Sequence, residues 1–352
     1  MTQRDAITLD RNENHYGPAP ACLASLRDLA PDLLHDYPRD FMSGSYSRLS
    51  LRLAATHGVE ESRILLGYGC EDILKVAVRH YLGHGGALLV PSASWWYYRS
   101  VADEVGGDTI EYPLVEGPTA YRYDLDALLA LRGRVDAKLL LIATPNNPTG
   151  NRITRRQLRT LLEEFAGVPT LLDQAYFGFA EDGPDDWAAL TDEFPDLLVL
   201  RSFSKLYALA GARIGYGIVG ERHREFATIG ARCLGYNRVS ENLALAALDS
   251  PDYYAGIRDR MTADRTRLCE SLRALPGVRA YDSDANFVLA RFPQEILVSL
   301  DTDLKSRGYV IKCFKEPAFL DCARITIGTT EENAGLLDAM LGVLPAMLPA
   351  AV

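Results

Sequence analysis

The chain has no excess of positive charge, no paired cysteines and no long hydrophobic run. Its 352 residues carry 37 Lys and Arg against 47 Asp and Glu, a net charge of −10. Neutralising nucleic-acid phosphates requires a basic surface, so no nucleic-acid partner is expected. The six cysteines (Cys22, Cys70, Cys233, Cys269, Cys313 and Cys322) are scattered, without the close spacing of a metal site and without a disulfide framework. The six histidines (His15, His35, His57, His80, His84 and His223) show no ligand spacing either, and no metal is expected. The apolar stretch Met340–Val352 is too short to span a bilayer and is interrupted by Pro345 and Pro349. The first ten residues lack a basic-then-apolar signal pattern, so no membrane partner and a cytoplasmic location are expected.

From about residue 45 to 245, short apolar runs alternate with helix-like segments. The runs include Arg63–Leu66, Ala87–Val90, Lys138–Ala143, Thr170–Leu172, Leu197–Leu200 and Ile214–Val219. Such continuous apolar runs, closed by Gly, Pro, Asn, Asp or Ser, read as buried strands of a mostly parallel sheet sandwiched by helices. The last hundred residues differ. Tyr253–Leu275 is a long amphipathic segment closed by Pro276-Gly277, and short strands are expected at Asn286–Arg291, Tyr309–Lys312 and Ala323–Ile327. The fold class is α/β, with a large domain over 30–245 and a smaller α+β domain made from 1–29 and 246–352.

Three expected strands end in residues suited to chemistry. Lys138–Ala143 leads to Asn147-Pro148-Thr149-Gly150, the next run to Asp173-Gln174-Ala175-Tyr176, and Leu197–Leu200 to Ser202-Phe203-Ser204-Lys205. Ligands of open α/β sheets bind at the carboxyl ends of strands, so the three groups can share one crevice. Ser202, Ser204 and Arg213 offer two hydroxyls and a guanidinium to a phosphate dianion. Gly69-Cys70-Glu71 opens a helix whose free N–H groups form the other half of a cradle. The carboxylates of Glu71 and Asp72 are expected to turn away from it. A lysine next to a phosphate site and a buried carboxylate suits a Schiff base with a pyridine aldehyde, because desolvation and nearby cations leave its amine partly neutral.

The stretch Ser202–Tyr216 resembles the lysine segment of fold-type I aminotransferases that use pyridoxal 5′-phosphate (PLP). With Asn147–Gly150, Asp173–Tyr176 and Ala323–Gly328, the chain is most similar to the histidinol-phosphate aminotransferase branch, from Asn12-Glu13-Asn14 to Glu331-Glu332. The resemblance implies an aminotransferase acting on a small amino donor and a 2-oxo acid. Lys205 is then the Schiff-base residue and proton carrier, Asp173 the partner of the pyridine nitrogen, and Asn147 and Tyr176 the partners of the ring oxygen. Ser202, Ser204, Arg213 and the Gly69–Glu71 turn would hold the cofactor phosphate. Trp95 falls where the family stacks an aromatic over the ring, whereas Trp96 and Tyr97 read as core or interface. Tyr37 matches a tyrosine that reaches the neighbouring subunit's phosphate in a homodimer. Arg324 matches the arginine that grips the substrate's acidic group, assisted by Tyr16 and Lys312.

Three departures bear on the substrate. Lys312 stands where the branch tends to have a second arginine, Gln174 replaces a glutamate, and the segment Arg39–Tyr46 is longer than expected. Lys312 and the longer segment favour an amino acid with an α-carboxylate over histidinol phosphate. The rival on the same fold is another PLP reaction: decarboxylation, β-elimination or cyclisation. A regulator using this domain as a sensor would need a DNA-binding segment before residue 10, and none is expected.

Overall fold

The computed structural model describes residues 6–38, 40, 45–83, 85–180, 187–229 and 235–347. Cys233, His84 and most of the segment after Tyr37-Pro38 (Arg39 and 41–44) lie outside the described residues. In chain order the strands are β1 (Ile7–Leu9), β2 (Ile64–Gly67), β3 (Ala87–Pro91), β4 (Asp108–Tyr112), β5 (Leu114–Glu116), β6 (Tyr121–Tyr123) and β7 (Ala137–Ala143). They continue with β8 (Thr170–Gln174), β9 (Leu197–Ser202), β10 (Gly215–Val219), β11 (Arg279–Ala280), β12 (Phe287–Arg291), β13 (Tyr309–Cys313) and β14 (Cys322–Thr326).

The central sheet has the order β2-β10-β9-β8-β7-β3-β4. From β4 to β9 every pairing is parallel; β10 alone reverses, antiparallel to both β9 and β2. Alternation along β7 explains why the run is apolar throughout. Leu139 and Leu141 join a core with Ala77, Val78 and Leu82 of the helix Cys70–Leu82, while Leu140 and Ile142 join Leu158 and Leu161 of the helix Arg155–Glu164 on the other face. Each expected run lies within a residue or two of an observed strand. The edge strand β4 and the hairpin β5–β6 were not among them, because Asp108-Thr-Ile-Glu-Tyr112 interleaves polar residues and has no continuous apolar run.

The second sheet runs β1-β13-β14-β12-β11. Its outer strand β1 comes from the N-terminus and pairs parallel with β13, so residues 10–16 start from a fixed point beside β13. The expected long helix spans Pro251–Arg273, starts with proline in its first turn and buries Ile257, Met261, Leu268 and Leu272. Buried Arg265 on that helix donates to the carbonyls of Phe179 and Ala285, tying it to the loops after β8 and before β12.

Gly69 and Gly215 bring β10 against the start of the helix Cys70–Leu82. Gly69 has φ +83°, and a Cβ added to Gly215 would lie 2.4 Å from the carbonyl carbon of Gly69 and 2.5 Å from the nitrogen of Cys70. Both atoms are main chain and cannot swing aside. Gly215→Ala is expected to cost about 1–3 kcal/mol, the usual range for overpacking. Urea unfolding would show this as a lowered midpoint at unchanged slope, and an unchanged midpoint would show that the turn can give way.

Candidate active site

The carboxyl ends of β7, β8 and β9 open into a cavity of about 540 Å³. Asn147, Asp173, Tyr176, Ser202, Ser204 and Lys205 all line it, as do Cys70, Glu71, Trp95, Arg213, Lys312 and Arg324. Gly69 is the left-handed residue that caps the helix at Cys70, immediately behind the wall. Of the residues expected at the site, Tyr37 and Tyr16 do not line the cavity. Tyr37 is 68% exposed, and the hydroxyl of Tyr16 is held by Thr330 at 3.1 Å. His15, beside that segment, pairs with Glu332 at 2.8 Å.

Asp173 is buried at the end of β8, and burial raises its pKa above the usual carboxylate range. Two donors oppose that rise: Tyr98 gives its hydroxyl to Oδ2 at 2.7 Å and the N–H of Ala175 reaches Oδ1 at 2.9 Å. Tyr176 accepts a hydrogen bond from Asn12 Nδ2 at 2.8 Å. Arg324 is buried on β14; Nη1 donates to Asn147 Oδ1 and Nη2 to the carbonyl of Asp10 at 2.6 Å. Its buried Nε has no hydrogen-bond partner, so the fork retains donor capacity.

Lys205 is half-buried, and its amine donates to the carbonyls of Arg11 and Asn12 at 3.0 and 3.1 Å. Burial, then the charge of Arg324, with a smaller contribution from Arg213, lowers its pKa to about 8 against the opposing pull of Glu13. Cys70 is pushed the other way by burial, which keeps it a neutral thiol and fits a role for its small size and N–H.

The structure corrects one expectation. Asp72 does turn back, accepting from the N–H of Tyr68 at 2.9 Å, but Glu71 faces the cavity, with Oε2 3.5 Å from Arg213 Nη2. A carboxylate in the first turn of a helix is favoured by the N-terminal partial charge, and here an arginine adds to that attraction. Among the groups in the wall that the sequence does not single out are Tyr98, Asp10, Arg11, Glu13 and the side chain of Asn12. Tyr98 is one of four consecutive aromatics, and only the turn of the helix Tyr97–Glu104 separates it from its neighbours.

The donors suit PLP. Two serine hydroxyls, a free helix N-terminus and a guanidinium match a phosphate dianion, a partly neutral amine matches its aldehyde, and a buried carboxylate matches its pyridine nitrogen. Residues 4–340 match the family Aminotransferase class I and II. The chain belongs to that family. It is a PLP-dependent aminotransferase. A histidinol-phosphate aminotransferase from Roseiflexus castenholzii is 33% identical over 339 residues, covering 95% of this chain and 88% of the relative. The crystal structure of histidinol-phosphate aminotransferase from Sinorhizobium meliloti with pyridoxal-5′-phosphate superposes with a TM-score of 0.86 at 25% identity, covering 97% and 92% of the two chains. L-threonine-O-3-phosphate decarboxylase from Porphyromonas gingivalis shares the fold at 18% identity, with a TM-score of 0.79 and coverage of 96% and 99%. No helix among the described residues is long and apolar enough to cross a membrane.

A lysine ordinarily loses its proton near pH ~10.4. With a pKa of about 8, Lys205 becomes neutral well below that, so its nucleophilic form accumulates as pH rises through 8. Reductive methylation of cofactor-free protein, followed by peptide mass spectrometry, should therefore show Lys205 labelling that rises around pH 8 and then levels off. Lys305, whose pKa is raised by its bond to Asp301, serves as the internal reference. Equal titration of the two lysines would contradict the desolvated site.

Proposed function

We propose that Lys205 carries the cofactor and then serves as the proton carrier, with Arg324 orienting an amino acid through its α-carboxylate. The observation that carries this is the arrangement of Lys205 and Arg324 in one cavity wall, the first with a lowered pKa and the second with a fork braced by Asn147 and Asp10. When bound, PLP supplies the electron sink that makes the proton on the substrate's Cα removable. The residues supply the rest. Ser202, Ser204, Arg213 and the turn at Gly69–Glu71 hold the phosphate, Asp173 keeps the ring nitrogen protonated, and Asn147 and Tyr176 hold the ring oxygen. Trp95 covers one face of the ring. Lys205, once its amine is free, would take the proton from Cα and return it two bonds along, at the cofactor's C4′. Lys205→Ala is expected to leave a folded protein in which borohydride traps no cofactor adduct. An adduct at another lysine would refute the assignment.

The second reading is an amino alcohol phosphate such as the one in the relatives' names. It is favoured by Lys312, which sits opposite Arg324 in the β13–β14 register and lines the same cavity. A guanidinium fork matches a carboxylate, whereas a phosphate dianion gains from a second cation. Mixing the holoenzyme with single amino donors and following the loss of cofactor absorbance decides between them. The expected result is fastest loss with an α-amino acid, reversed by a 2-oxo acid. A preference for histidinol phosphate by orders of magnitude would establish the second reading, and carbon dioxide release without reversal would establish a decarboxylase.

We also propose a cytoplasmic homodimer in which Tyr37 reaches the phosphate site of the second copy. Exposed Leu23, Leu26, Leu34, Tyr37 and Leu51 support this, since they lie on or beside three helices that pack on the helix Arg238–Leu248. Interfaces of such obligate dimers exceed ~2,000 Å². Light scattering should give twice the chain mass at micromolar concentration; a fully active monomer would end the idea.

A further inference from the structure

Asp173 is addressed from the side by a residue that the three strand-end motifs do not contain. Tyr98 is 3% exposed and belongs to the helix Tyr97–Glu104, which follows β3. Its hydroxyl donates to Asp173 Oδ2 at 2.7 Å, while its ring meets Trp95 edge to face, with centroids 5.6 Å apart at 82°. Tyr98 thus touches both groups that the proposed function sets against the cofactor ring, one at its nitrogen and one at its face. We infer that Tyr98 is a positioning residue that keeps Asp173 ionised and aimed at the ring nitrogen, and so sets how firmly that nitrogen holds its proton.

A carboxyl group buried as deeply as Asp173 drifts towards its neutral form, and a neutral acid cannot stabilise a pyridinium. A hydroxyl aimed at one carboxylate oxygen stabilises the ionised form and fixes the rotation of the group; the Ala175 N–H does the same at the other oxygen. The phenol must stay protonated to do this, and burial together with the adjacent Asp173 charge raises its pKa well above the ordinary tyrosine value. Tyr98 is thereby a donor at every working pH. Its own position is secured by the core around Val101 and Ala102.

The inference rests on the reading that Asp173 faces the ring nitrogen, so the test separates the two. Holoenzymes of Tyr98→Phe, Asp173→Asn and the double variant are compared with the parent for kcat, KM, cofactor dissociation constant and the pH titration of the bound cofactor's absorption. The expectation is that Tyr98→Phe folds and keeps its cofactor but loses about tenfold to a hundredfold in kcat with KM little changed, by analogy with residues that orient metal ligands through a hydrogen bond. Its cofactor titration should move in the direction seen for Asp173→Asn. The double variant should be no worse than Asp173→Asn alone, because both changes remove one function. If Asp173→Asn is crippled while Tyr98→Phe matches the parent in kcat and titration, the inference fails and the reading of Asp173 stands. If Asp173→Asn is itself normal, both fail. Fully additive losses would assign Tyr98 to packing and also overturn the inference. Should Tyr98→Phe not fold, 3-fluorotyrosine at position 98 keeps the shape and strengthens the donor. The titration must then shift in the opposite sense to Asp173→Asn, and no shift would refute the inference.

Discussion

The site depends on holding a lysine in a poorly hydrated place among other cations. Desolvation penalises the charged form of Lys205, and Arg324 and Arg213 add to the penalty; Glu13 moderates it. The amine is held by two main-chain carbonyls, which accept hydrogen bonds from it without the full charge of a carboxylate. A carboxylate in that position would raise the pKa and lock the amine as an ammonium. Asp173, the buried acid nearest the chemistry, is kept on another strand end with its own two donors. With the acid kept apart from the amine, no carboxylate hydrogen-bonded to Lys205 offsets the lowering of its pKa.

Those carbonyls belong to Arg11 and Asn12, and their placement is a consequence of sheet topology. β1 pairs with β13 at the edge of the second sheet, which delivers the next residues across the carboxyl ends of the central strands. Asn12 adopts φ +56°, which asparagine tolerates better than most residues, and it bonds in several directions. Its N–H reaches Thr326 Oγ1 at 2.9 Å, its amide reaches Tyr176, and its carbonyl accepts from Asn286 and Lys205. Arg324 holds the preceding turn through the carbonyl of Asp10. A short N-terminal segment is therefore a shared wall, bonded to both sheets and to three of the groups expected to do chemistry.

Residues at the three strand ends were legible in the sequence because each has a main-chain consequence. A buried strand must end in something polar where it meets the crevice, and glycines mark where main chain passes close to main chain, as at Gly69 and Gly215. Tyr98 lacked such a mark. Trp95, Trp96, Tyr97 and Tyr98 all satisfy a demand for apolar surface, yet in the fold Trp96 is 56% exposed and Tyr98 almost fully buried. Only the helix phase after β3 sorts them. The short β1 and the polar-rich β4 were missed for the related reason that an edge strand needs no continuous apolar run. Glu71 faces the cavity against expectation, with Arg213, distant in sequence, at one oxygen and Tyr97 and Lys75 at the other.

The departures from the resembled branch can now be weighed by position. Gln174 follows Asp173 on β8, so its side chain points to the opposite face of the sheet. There its Oε1 accepts from both Nε and Nη2 of Arg201, at 3.1 and 3.0 Å, and Arg201 lies over the ring of Phe177. An amide oxygen meets that guanidinium much as a carboxylate would, and the pair lies away from the reacting groups. Lys312 is different. Directly paired residues on adjacent antiparallel strands share a face, so Lys312 lies on the same side of the sheet as Arg324, and both line the cavity. An ammonium is a mobile point charge and a guanidinium a rigid planar fork, so the exchange leaves attraction for an anion but removes one set of fixed directions. A single guanidinium fork matches a planar carboxylate more fully than a tetrahedral phosphate, and on that geometry rests the proposal of an amino-acid substrate for Arg324.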